Sequence, residues 1–235
     1  MDTKLISFSQ LRKSLISVKD YISDIVTGIN NQIENIRSDS TYTPIDILSF
    51  TSTPSLAEIG SVVSSVELQY SMNQVPNSLL IDGDAITPSM SGSVLIDGQS
   101  ITSDKTWILT AEDNGSTSFP KKTVSVSASL EFANSIYYGV STSITPTQSM
   151  IKQLAYSVLS NTKSRSIDLS VGNLEYIWYA VPKRLGKCLF SVSGVIGGFE
   201  EAAELTITNS SNYSEGYYVY RSSNYGLGEV QVIIQ

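Results

Sequence analysis

The sequence predicts a mainly β protein: an N-terminal trimeric coiled-coil helix, then two β-sandwich domains, the first immunoglobulin-like. Three observations lead there. A strict heptad of apolar residues fills the first forty positions. The rest of the 235 residues breaks into short alternating runs separated by turn residues. Only 16% of residues are charged while 41% are hydrophobic, and Ser, Thr, Asn and Tyr take the place of charge, a balance that suits β modules.

The helix comes first, and residues 1–37 are read as the coiled-coil and attachment segment. Phe8, Leu15, Ile22, Ile29 and Ile36 form one row, and Leu11, Val18, Ile25 and Gln32 the other. Steps between successive members alternate three and four without a break, which assigns the rows to heptad positions a and d. A lone amphipathic helix drifts off such a 3.5-residue repeat, whereas a supercoil holds it. β-Branched residues at both core positions favour three or more strands, and Val26 and Ile33 at e widen the stripe. Twenty-nine residues at ~1.5 Å each make a rod of about 44 Å. Gly28 and Gln32 weaken it, and the competing reading is a single helix packed on its own domain.

Residues 38–44, polar and closed by Pro44, read as a linker. Residues 45–133 then carry strand-like runs at 45–51, 66–70, 78–82, 93–97, 105–112 and 122–132. That number of short strands, with regular turns, indicates an immunoglobulin-like sandwich with Trp107 as its core aromatic. Within it, Leu80-Ile81-Asp82-Gly83 echoes as Leu95-Ile96-Asp97-Gly98, and each Asp-Gly pair signals a two-residue hairpin. Asp82 and Asp84 lack the further oxygen ligands and closing Glu of a calcium loop, so turn chemistry is the reading and no metal site is expected.

Residues 134–235 form the second sandwich. Residues 136–140 look like a strand. Met150, Ile151, Leu154, Ala155 and Val158 then mark a short amphipathic helix suited to covering an end or a face of the sandwich. Strands resume at 166–171, 174–181, 187–192, 204–209, 216–221 and 229–234.

Composition excludes much. The net charge is −7 with no basic run, so the footprint for nucleic acid is missing. There is no histidine, which removes the commonest general base and metal ligand and any Ser-His-Asp set. Glu200 and Glu201 are adjacent and would point to opposite faces of a strand, while Asp168, Glu175 and Glu204 are scattered. Gly194–Gly198 lacks the lysine of a phosphate loop. No catalysis and no cofactor are expected. Cys188 sits in an apolar run and reads as a buried small hydrophobe. No apolar run approaches eighteen residues and no signal-type core opens the chain, so synthesis in a cytoplasm without membrane insertion is the expectation.

Three phrases carry a resemblance. Residues 176–186 read YIWYAVPKRLG, residues 197–200 GGFE, and residues 218–224 YVYRSSN. The series resembles the C-terminal domain of structural proteins from tailed bacteriophages of gut bacteria, crAss-like phages included. In those proteins an immunoglobulin-like domain often precedes it. The segments 99–103 and 110–113, and the opening Phe8-Ser9-Gln10-Leu11, look similar too. The resemblance implies a virion protein made in the bacterial host cytoplasm, and the order of rod, linker and two serial sandwiches favours a trimeric head or tail fibre, the alternative being an inward-facing baseplate or tail adaptor. The expected partners are two further copies, from the heptads; capsid or tail proteins at the N-terminus, from the virion setting; and a host-surface glycan, from the tyrosine excess. Tyr213 and Tyr225 are the candidate ligand contacts, because they lie in Ser/Asn/Gly-rich segments expected to be loops at one end of the sandwich.

Overall fold

The computed structural model describes residues 7–235; the first six residues of the expected 1–37 segment lie outside them. The architecture is mainly β, with several sheets and an N-terminal helix.

Helix α1 runs Phe8–Thr41 and is about 51 Å long at ~1.5 Å per residue. Ser7 starts it with a capping box: its hydroxyl accepts from the Gln10 amide, while the Gln10 side chain accepts from the Ser7 amide at 3.0 Å. The helix extends into the segment expected to be a linker, as far as Thr41. The hydroxyls of Ser40 and Thr41 both donate to the Arg37 carbonyl, at 3.0 and 3.1 Å, and satisfy part of the last turn. Tyr42 is already extended, and Pro44 bars the helix from continuing.

The strands follow in chain order. The first group is β1 (Ile47–Thr53), β2 (Leu56–Glu58), β3 (Val66–Met72), β4 (Ser78–Ile81), β5 (Asp84–Ala85), β6 (Ser91–Ile96), β7 (Lys105–Glu112) and β8 (Thr123–Ala133). They form a three-stranded sheet in the order β1-β3-β6 and a five-stranded sheet β2-β8-β7-β4-β5. Leu68, Leu109 and Leu130 are fully buried and Trp107 nearly so, on the alternating faces their strands predict.

Of the two Asp-Gly turns, one forms the expected hairpin. Asp82 and Gly83 both have positive φ, 52° and 92°, and Ile81 pairs with Asp84 across them. Asp97-Gly98 does not. Beyond it Gln99 donates to the Ser64 carbonyl and Ile101 bridges Val63, so that stretch is held by residues 63–64 rather than folding back on β6.

The second group is β9 (Ser135–Ser141), α2 (Gln148–Lys152), β10 (Tyr156–Leu159), β11 (Arg165–Val171), β12 (Tyr176–Pro182), a 3-10 turn at Lys183–Leu185, β13 (Phe190–Val192), β14 (Val195–Ile196), β15 (Phe199–Thr208), β16 (Ser214–Ser222) and β17 (Gly228–Ile234). Two sheets result, β10-β9-β12-β16-β15 and β11-β17-β13-β14. Between them lies a core of Ile136, Ile177, Tyr179 and Tyr220 from the first, with Leu169, Phe190, Val232 and Ile234 from the second. A further cluster covers the outer face of the five-stranded sheet, where Ile151 of α2 meets Trp178, Tyr217 and Val219. The short helix therefore covers a face, as its apolar spacing implies. It ends sooner than that spacing implies: Val158 belongs to β10, where it pairs with Ile136, and Tyr156 stacks on Tyr138 at 4.8 Å.

By compactness the chain divides into two units. One comprises Met1–Leu48, Ser71–Ser91 and Ile108–Val126, the other Ser49–Tyr70, Gly92–Trp107 and Ser127–Gln235.

Candidate functional surfaces

The heptad residues lie on α1 as one open stripe. Phe8, Leu11, Leu15, Val18, Ile22, Ile25, Ile29 and Ile36 are between 42% and 85% exposed, and Gln32 is exposed as well. None of the described residues covers them. A contiguous apolar stripe of this length on a single chain is the signature of an interaction surface.

The stripe stops where the helix is taken over by its own unit. Asp39, the next d position, accepts from the Ser116 hydroxyl at 2.7 Å, from the Ser118 amide at 3.1 Å and from the Ser118 hydroxyl. Those hydroxyl bonds, Ser118 first, hold its carboxyl below the usual range. Tyr42 stacks on Phe119 at 5.2 Å. Beneath this contact Asp113, only 5% exposed, accepts four bonds of 2.8–3.0 Å: from the amides of Gly115, Lys122 and Ile45 and from the Tyr42 hydroxyl. Burial pushes the Asp113 carboxyl up, but these donors outweigh it and hold the pKa at about 2. Residues 42–44, read as the end of a linker, are thus pinned together with 45–46, Asn73 adding a bond to the Asp46 amide and one to the Pro44 carbonyl.

The two tyrosines proposed from sequence fall at opposite ends of β16, separated by its nine residues, about 30 Å of strand. One copy therefore cannot bring them into a single site. Tyr213 belongs to a polar clamp. Its amide donates to Asn209 Oδ1 at 2.9 Å; Asn209 Nδ2 donates to the Ile59 carbonyl and to Asn134 Oδ1; and Asn134 donates to Glu215. Glu58 accepts from the amide and hydroxyl of Ser211 and from the Ser210 hydroxyl. Burial pushes the Glu58 carboxyl up, and these bonds outweigh it, leaving it below its ordinary value. The backbones come so close that a Cβ on Gly60, which has φ +90°, would lie 2.9 Å from that of Tyr213.

Tyr225, 56% exposed, sits in a different setting. Its ring meets Tyr176 edge-on at 5.6 Å, and the Arg221 guanidinium lies 4.7 Å from the Tyr176 ring centre while pairing with Glu200. Glu201 pairs instead with Lys187, over Tyr218, so the two adjacent carboxylates serve opposite faces of the sheet. Cys188 is buried, and burial pushes its thiol up to about 11, which makes it unreactive. Among the described residues no group of three or more His, Cys, Asp or Glu is placed to hold a metal ion, and no helix is long and apolar enough to cross a membrane.

No family model matches the chain, and no curated protein matches it. Among solved structures, the chain is similar to an alpha-L-rhamnosidase from Dictyoglumus thermophilum at 12% identity and a TM-score of 0.24. The match covers 82% of this chain and 25% of that one, so the chain spans a quarter of that protein's length.

Proposed function

We propose that this is a non-enzymatic structural protein of a tailed-phage virion: a parallel homotrimeric fibre, attached to the head or tail by its N-terminal coiled coil. On this reading its β regions, the first immunoglobulin-like, face outward for contact with the host surface or its glycans. The observation that carries the proposal is the uncovered heptad stripe of α1. An unbroken a/d series with β-branched residues in both rows selects several parallel copies of the same helix as its cover. Three parallel helices gather three N-termini at one point, which suits a single socket. The resemblance of residues 176–186, 197–200 and 218–224 to virion proteins supplies the setting. Repetition makes weak sites useful, because linked copies exceed single-site affinity by ~10²–10⁴.

A second reading, an inward-facing adaptor, is favoured by one observation. Leu189, Val195 and Ile196 are at least 71% exposed, and Ile196 and Ile233 flank Ser191 in one cross-strand row. Such a patch fits a neighbouring virion protein. Antibody labelling of intact particles separates the two. The fibre exposes epitopes in residues 134–235 on intact particles, and the adaptor exposes them only after disruption. Absence of the protein from purified particles contradicts both.

A further inference from the structure

We infer that the missing side chain at Gly28 is the recess that receives Ile33 of the next copy, and that this pair fixes the direction and register of the helices. The inference rests on the oligomeric reading above. With Phe8 and Ile36 at a, the residues flanking the stripe on one edge are Ser14, Tyr21, Gly28 and Asn35 at g. On the other edge are Arg12, Lys19, Val26, Ile33 and Ser40 at e. In a parallel, in-register bundle a g residue lies beside the e residue five positions later in the adjacent helix. That rule pairs Tyr21 with Val26, Gly28 with Ile33, and Asn35 with Ser40.

Among the described residues of one chain nothing asks for a glycine here. Gly28 lies inside α1, is absent from the residues with positive φ, and a Cβ added to it meets no atom within 4 Å. Glycine in a helix interior is destabilising relative to alanine, so the position carries a cost with no return inside the chain. Its counterpart is equally unexplained: Ile33 is 47% exposed and Val26 49%, both large and apolar on an edge that is basic lower down at Arg12 and Lys19. The recess and the knob meet only in the parallel, in-register arrangement. An antiparallel pair sets g beside g and e beside e. A slip of one heptad puts Gly28 beside Val26 or Ser40, and Tyr21 beside Lys19 or Ile33.

The test is a double-mutant cycle in the full chain: Gly28→Ile, Ile33→Gly and both together, read as oligomer dissociation by sedimentation and as melting temperature. Positions five apart in one helix lie ~140° apart around its axis and do not touch. The double variant also has the composition of the parent. Coupling between the two sites therefore reports contact between copies alone. Each single substitution is expected to loosen the trimer about tenfold, and the double variant to recover most of the loss. A second measurement is oxidative cross-linking of Gly28→Cys with Ile33→Cys, made specific by the burial of the chain's own Cys188. The double variant should give covalent trimers and neither single variant a comparable ladder. Additive losses in the cycle, or no cross-linking in the double variant while the parent chain is a trimer, overturn the inference and leave the trimer standing. A monomeric parent chain overturns both.

Discussion

Two residues decide whether the polar contacts described above are structural. Asp113 is the acceptor for three amides and a tyrosine hydroxyl, and Asp113→Asn leaves buried donors unmet, a loss of about 2–4 kcal/mol at neutral pH. Its folded pKa of about 2 lies below the ~3.9 of an unfolded aspartate. Its contribution is complete above the unfolded value and is lost as pH falls from about 4 towards 2. Thermal unfolding from pH 5 to pH 2 should show a steeper acid decline in the parent than in Asp113→Asn. Asn209 makes the second case. Asn209→Ala removes bonds to Ile59, Asn134, Ser211 and Tyr213 and should cost a further ~2–4 kcal/mol, whereas Tyr225→Ala gives up one exposed edge contact of about 1 kcal/mol. Any effect of Tyr225→Ala on adsorption of the full chain to host cells or a glycan panel is thus a binding effect. An effect of Asn209→Ala must first be corrected for stability. None of this was legible in the sequence, where Asp113, Asn134 and Asn209 are ordinary turn residues. What distinguishes them is burial, and each also has a partner 68 to 150 residues away.

At the scale of elements, legibility followed periodicity. The run 66–70 alternates cleanly and became the start of β3 with every second residue buried, while 105–112 became β7 with the same bounds and buries Trp107, the expected core aromatic. Short strands left no such trace. β2 exists because Leu56–Glu58 runs parallel to the end of β8, far along the chain, and β14 because two residues turn back on β13. The tail of the expected short helix shows how spacing misleads. Residues 150, 151, 154, 155 and 158 sit at helical intervals, but Tyr156–Leu159 finds an open edge on β9 and pairs there. Helix α1 was the most legible element, and its test follows from exposure. Ile22 is 54% exposed in a single copy, so Ile22→Asp in a monomer changes stability by no more than ~0.5 kcal/mol. In a trimer it brings three carboxylates into one apolar layer and should dissociate it. Sedimentation of the variant beside the parent reads the difference directly.

For the whole molecule, the mainly β class came from composition and pattern. The expected boundary between residues 133 and 134 is one of sequence order, whereas the compact units take up segments that alternate along the chain. The carboxylates of Asp113, Glu58 and Glu200 are satisfied by amides, hydroxyls and a basic side chain, and thermal unfolding should be unchanged by a chelator. A fall of several degrees would contradict this and reveal a bound metal. The proposed fibre rests most heavily on its being several copies, and that is measured by light scattering of the full chain at micromolar concentration. A trimeric fibre gives three times the 25.5 kDa of one chain, persisting on dilution through the micromolar range. A particle of 25.5 kDa, with the heptad stripe left open to water, contradicts it.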